Sequence, residues 1–205
     1  MKGLARIYSS QQVATRVASL GRAISRDYAD GPVDVVVMLD SAFVFAADLM
    51  RHISGRVVCH FVHTEVRDIH IGRHERREIY FSRQPRLENC DVLVVDAVIQ
   101  SGLTQDFLLK LLRESHPRSL RLAVLFDKPA ERRVDLKPDY FCFASASKYL
   151  AGYGLAGSRG WYRNLPYVGI LPRQVGIKTR ARTRSIRTEG IRTEQIKASR
   201  NQRAR

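Results

Sequence analysis

Residues 90–104 read CDVLVVDAVIQSGLT, and their order decides the fold. Val92, Leu93, Val94 and Val95 form an unbroken apolar run, the pattern of a strand covered on both faces. Gly102, flanked by hydroxyl side chains, then turns the chain. The DFLLKLLRE that follows has helical spacing, so a helix is predicted over 105–115, ending at His116-Pro117. A buried strand, a glycine turn and a helix belong to a parallel sheet, in which ligands bind at the carboxyl ends of the strands.

The same alternation recurs on either side. Residues 9–30 carry apolar side chains at 13, 17, 20 and 24 behind a serine, which predicts a helix. VDVVVML (33–39), RVVCHFV (56–62), SLRLAVLFD (119–127) and YFCFA (140–144) read as further strands beside 92–95, and SAFVFAADLMRHI (41–53) reads as a helix ending at Gly55. Residues 68–90 read as a polar excursion. This predicts an α/β domain with a mainly parallel central sheet flanked by helices.

At 205 residues and 44% hydrophobic, the chain has enough apolar material for one domain and an appendage. The boundary is set by charge: eleven Lys/Arg against two Glu give residues 172–205 a net +9, leaving +6 for residues 1–171. That tail has no aromatic residue and only Val175 and four isoleucines as larger apolar residues, so it is expected to be disordered. Cys59, Cys90 and Cys142 fit no metal or disulfide spacing and are expected in the core, in a reducing compartment. No run approaches the ~18 apolar residues of a membrane span, and MKGLARIYSS has no apolar signal core, so a cytoplasmic protein without membrane association is expected.

In order and spacing, MLDSAFVFAADLMRHI, VLVVDAVIQSGLTQDFLLKLL, LRLAVLFDKP, KPDYFCFASASKYLAGYGL and YRNLPYVGIL resemble the hypoxanthine-guanine phosphoribosyltransferases over residues 5–171. The resemblance implies a type I phosphoribosyltransferase fold with a small hood region. It also implies purine salvage, the transfer of ribose 5-phosphate from phosphoribosyl pyrophosphate to a purine, with magnesium as cofactor when catalysis occurs. A homodimer or homotetramer is implied as the assembly.

By the same resemblance, Ser101, Gly102 and Thr104 wrap the 5′-phosphate, which suits backbone donors at the positive end of a helix dipole. Lys128 recognises the purine 6-oxo group, Tyr149 stacks on the base beside Leu150, and Arg163 meets pyrophosphate. Each has a plainer reading: Lys128 as a solvated strand end, Tyr149 as core packing, Arg163 as the partner of Asp139 or a carbonyl.

The acidic positions diverge from the family pattern. Asp96 keeps the first of two acids that hold the ribose hydroxyls, but Ala97 replaces the second. Gln100 stands where the family has a proton acceptor, and an amide cannot do general-base work. The pyrophosphate loop, leucine-lysine-glycine in the family and commonly with a cis bond, reads Leu39-Asp40-Ser41 and so inverts a charge. Val66-Arg67 replace the Ser-Tyr of the mobile lid, and Ala156 replaces an aspartate that helps hold magnesium. What is kept recognises a purine and a 5′-phosphate, which predicts a binder of GMP or IMP with weak or absent transferase activity. The alternative is a regulatory nucleotide-binding protein whose basic tail engages nucleic acid or an acidic partner.

Two other features have the residue types of a site. His70, His74 and Glu75 lie among Arg67, Arg73, Arg76 and Arg77, which repel a cation, so no metal site is expected there. Asp48, in an apolar helix, is expected to make a capping or intersubunit hydrogen bond.

Overall fold

The computed structural model describes residues 4–29, 31–67, 76–81, 85–146, 149–157 and 160–171, with the backbone alone at 64–67 and 76–81. The elements are β1 (Ala5–Tyr8), α1 (Ser10–Asp27), β2 (Val33–Leu39), α2 (Phe43–Met50), β3 (Val57–Arg67), β4 (Arg76–Phe81), β5 (Asp91–Ile99), α3 (Leu103–Arg113), β6 (Ser119–Asp127), β7 (Tyr140–Ala144), β8 (Leu150–Ala151) and β9 (Val168–Ile170).

Six strands form the main sheet in the order β4-β3-β2-β5-β6-β7. All neighbours are parallel except the β3/β4 pair. The chain leaves β2 toward β3 and returns to β5 on its other side, so the strand order reverses between β2 and β5. Their carboxyl ends open a crevice there, the place where such sheets take ligands.

The sheet is apolar on both faces because it is covered on both. Val35, Val37, Leu93, Val95 and Leu125 pack under α1 and α2, together with Val13, Val17, Phe45 and Leu49. Val36, Val92, Val94, Leu122 and Val124 pack under α3 through Leu108, Leu109 and Leu112. Phe45 and Phe126 are fully buried, and such side chains contribute roughly 1.5–3 kcal/mol each relative to exposure. The start of α1 is set by a capping box: Gln12 N donates to Ser9 Oγ (3.2 Å) and Ser9 N to Gln12 Oε1 (2.8 Å).

A second sheet, β1-β9-β8, is antiparallel and forms the small hood. Its strands are too short for an alternating pattern to show. β4 falls inside the predicted polar excursion, and β3 runs to Arg67 rather than ending at 62. Both departures have one cause: β4 is an edge strand, which needs no continuous apolar run. Of the three cysteines expected in the core, only Cys142 is buried; Cys59 and Cys90 are half-buried, and all three are free. Residues 172–205 and the triad His70, His74 and Glu75 lie outside the described residues. No described helix is long and apolar enough to cross a membrane.

Candidate functional site

The turn after β5 is built around Gly102, which has φ +78° and therefore favours glycine. A Cβ there would lie 2.9 Å from Val134 Cγ2 and 3.1 Å from Arg132 Cδ. The segment after β6 braces the turn from that side, with Arg133 N donating to Ser101 O at 2.9 Å and Lys128 N to Ile99 O at 3.1 Å. Asp106 N donates to Gly102 O at 2.8 Å and opens α3, while Leu103 N meets Ser101 Oγ at 3.5 Å. Thr104 lies in the first helical turn, so Ser101, Gly102 and Thr104 surround a helix N-terminus suited to an anion. Gln100 precedes them with its side chain exposed.

One step back along β5, Asp96 does not stand open. Its Oδ1 accepts from Ala97 N at 2.6 Å and its Oδ2 from Gln105 Nε2 at 2.5 Å. Burial pushes the carboxyl up to about 6, against these two hydrogen bonds, which favour the ion. Gln105 also reaches Val98 O at 3.4 Å and is buried. Ala97 is 1% exposed and belongs to the apolar cluster beneath α1 and α2.

The loop after β2 faces this turn across the crevice. The Leu39–Asp40 peptide is cis. Asp40 is 64% exposed, and its carboxylate lies 3.9 Å from Arg163 Nη2 and 3.9 Å from His63 Nδ1. Arg163 Nη1 donates to Gly154 O at 2.7 Å and to Ser41 Oγ at 3.4 Å. Gly154, at φ +88°, allows this approach, since a Cβ would meet Ser41 O at 2.8 Å. Arg163 thus pairs with a carbonyl and with Asp40 rather than with Asp139, which accepts from Leu122 N. Ala156 is half-buried on the same segment.

Lys128 and Tyr149 both depart from their plainer readings. Lys128 is 2% exposed rather than solvated, its Nζ 3.7 Å from Glu131 Oε1, and burial pushes its pKa down while Glu131 opposes the shift. Tyr149 is 53% exposed rather than core, with Leu150 buried next to it and Leu171 N donating to Tyr149 O at 3.0 Å. Asp48 accepts from Tyr153 Oη at 2.7 Å, a bond within the chain.

Sequence reading missed Gln105, His63 and Arg132, whose guanidinium pairs with Asp127 beside Lys128. A signal for Gln105 existed: positions 105, 108, 109 and 112 form one helical stripe, and a glutamine stands at the head of three leucines. A polar side chain at a core position calls for a buried partner, here Asp96.

Residues 3–155 match the family model described as the phosphoribosyl transferase domain. The hypoxanthine-guanine phosphoribosyltransferase of Streptococcus mutans is 32% identical over 171 residues, covering 82% of this chain and 93% of that protein. Its counterpart in Streptococcus agalactiae is 30% identical over the same shares. Among solved structures, a Bacillus anthracis hypoxanthine-guanine phosphoribosyltransferase superposes with a TM-score of 0.74 at 30% identity, over 84% of this chain and 100% of that one.

Proposed function

The chain belongs to the hypoxanthine-guanine phosphoribosyltransferase family, and on that premise we propose that it is a purine-salvage relative that binds GMP or IMP and transfers ribose 5-phosphate weakly or not at all. The observation that carries this reading is Asp40 beside Arg163. An acid on the loop that would meet pyrophosphate both repels that ligand and competes for the arginine that would hold it. Gln100 adds a second deficit, because an amide cannot accept the purine proton as a general base does.

The opposite end of the crevice supports nucleotide binding. The Ser101–Gly102–Thr104 turn offers donors and a helix dipole to a phosphate, and exposed Tyr149 offers a ring face to a base. Lys128, buried with its Nζ 3.7 Å from Glu131 Oε1, is the residue assigned to the 6-oxo group. Magnesium fits the residues poorly. Magnesium in phosphate-handling sites is held by one or two carboxylates together with substrate phosphates, and here position 156 is alanine while both Asp96 oxygens accept from protein donors.

Calorimetry with GMP, IMP and phosphoribosyl pyrophosphate, together with magnesium-dependent pyrophosphate release, tests the proposal. The monophosphates should bind more tightly than the donor, and turnover should lie at least ~10³ below ordinary members, general-base catalysis alone being worth ~10²–10⁴. Robust turnover of hypoxanthine or guanine by the pure protein refutes it.

A second reading concerns residues 172–205, whose net +9 over 34 positions, chiefly arginine, suits phosphates. In that reading a cytoplasmic regulatory protein binds a purine nucleotide in its core and nucleic acid, or an acidic partner, through its tail. Association into a homodimer or homotetramer is proposed alongside, supported by the exposed Phe43 of α2 and Phe61 of β3, on the face of the sheet that α2 covers. Gel filtration with light scattering checks it, and a monomer at micromolar concentration overturns it.

A further inference from the structure

We propose that the outer edge of the main sheet carries a second ligand site, separate from the nucleotide crevice, which takes a flat aromatic molecule bearing a single anionic group. A cavity of about 740 Å³ lies between edge strand β7 and the first turns of α1. Small-molecule sites have volumes of roughly 300–1,000 Å³, so the space suits a compact ligand. The crevice opens between β2 and β5, whereas β7 lies beyond β6 at the end of the sheet. No residue lining the cavity is among those placed at the crevice.

The cavity has an aromatic wall and a polar one. Phe141 and Phe143 of β7 and Tyr8 of β1 supply rings, while Gln11, Thr15 and Arg16 of α1 supply an amide, a hydroxyl and a guanidinium. Phe143 is fixed from behind, its ring centroid 5.3 Å from that of Phe126 and 4.2 Å from that of Tyr8. Phe141, by contrast, is 48% exposed on a strand of the core sheet. Among the described residues no strand covers that edge, so a ring laid on Phe141 removes apolar surface of both from water.

Charge decides what the ring has to carry. Arg16 holds its guanidinium 6.0 Å from the centroid of Phe143. Its charge also reaches the neighbouring Cys142, whose thiol burial pushes up to about 12 while Arg16 opposes the shift. None of the described residues lining the cavity is acidic, and neither is any in the first turn of α1, so this cation is not neutralised where a ligand would lie. One guanidinium suits one carboxylate or sulfonate on a ring, and it is too little charge for a di- or triphosphate. The neutral Cys142 thiol is no nucleophile, so binding is non-covalent.

The test is calorimetry of the full chain at pH 7 with 2-naphthoate as the probe. Beside it go 2-naphthalenemethanol, which lacks the charge, and cyclohexanecarboxylate, which lacks the aromatic rings. Naphthoate should bind with a Kd below about 1 mM, and about threefold or more tightly than either control. Arg16→Gln should lower naphthoate to the level of the alcohol, and Phe141→Ser should weaken both ring compounds about threefold. Both positions are exposed, and thermal transitions check the folds. Tyr149→Ser, in the nucleotide crevice, should leave naphthoate affinity unchanged. Absence of naphthoate binding, equal binding of the alcohol, or an affinity that falls in Tyr149→Ser and holds in Arg16→Gln overturns the proposal. So does a dimer in light scattering that Phe141→Ser dissociates while naphthoate fails to bind, which assigns the edge to a second copy of the chain. None of these outcomes depends on whether GMP or IMP binds in the crevice.

Discussion

Replacing Asp96 with asparagine should make the protein's stability less sensitive to pH, and the structure sets the size. The folded carboxyl is raised by burial from 3.8 to about 6, so the unfolded chain releases its proton more readily than the native one. Below the unfolded value both states are protonated and the site costs nothing. As pH rises through the window from 3.8 to about 6, ionisation increasingly favours the unfolded state, and above it the native penalty is complete. Two pKa units at 1.36 kcal/mol each give a penalty of about 3 kcal/mol, most of which develops between pH 4 and pH 7.5.

Asparagine keeps an acceptor for Ala97 N and can exchange amide hydrogen bonds with Gln105, so packing is preserved while the charge is removed. Urea unfolding of the original and Asp96→Asn proteins across that range isolates the site, since other groups titrate in both. The stability difference should move in favour of the variant by about 2 kcal/mol on going from pH 4 to pH 7.5. A difference that is flat with pH, or that moves the other way, would falsify the claim that Asp96 is a part-buried, internally bonded acid whose charged form the fold disfavours.

Other expectations follow from the same geometry. Asp40→Lys should remove the acid beside Arg163 and tighten phosphoribosyl pyrophosphate binding about tenfold, about 1.4 kcal/mol, by calorimetry; unchanged donor affinity contradicts the assignment of that loop. Gly102→Ala combines a positive φ with a Cβ 2.9 Å from Val134 Cγ2, so it should lower stability by ~1–3 kcal/mol and weaken GMP binding; a variant with native melting behaviour and affinity counts against the turn as the phosphate site. If about six tail cations engage phosphates, binding to duplex DNA should show a log-log salt slope near −5, and deleting residues 172–205 should abolish most of it; retention of slope and affinity after truncation moves the charge-driven contact to the core.

Much of the sheet was legible because its central strands are covered on both faces. VDVVVML and SLRLAVLFD coincide with β2 and β6, since a strand without a solvent face needs an unbroken apolar run, and such a run shows in one dimension; YFCFA coincides with β7 although that edge strand leaves Phe141 exposed. Gly102 was legible as a turn for a local reason, a residue without Cβ between a strand and a helix. The replacements at Asp40, Ala97, Gln100 and Ala156 were also visible, because the loss of a charge or a titratable group is a property of the side chain itself. Which partners those positions meet was not. Asp40 beside Arg163, 123 positions later in the chain, depends on how the segment around Gly154 closes over the β2 loop. The bond between Asp96 and Gln105 depends on the angle at which α3 leaves its turn. Lys128 was placed at a strand end by sequence, and only the packing of the following segment beneath Gly102 buried it. The short strands of the hood and edge strand β4 were likewise set by neighbours, because few residues and one-sided burial leave no period to read. Local pattern reports how a residue's own surface prefers to be covered, whereas the state of an acid, an amide or an ammonium is decided by whichever group the fold brings to within hydrogen-bonding distance.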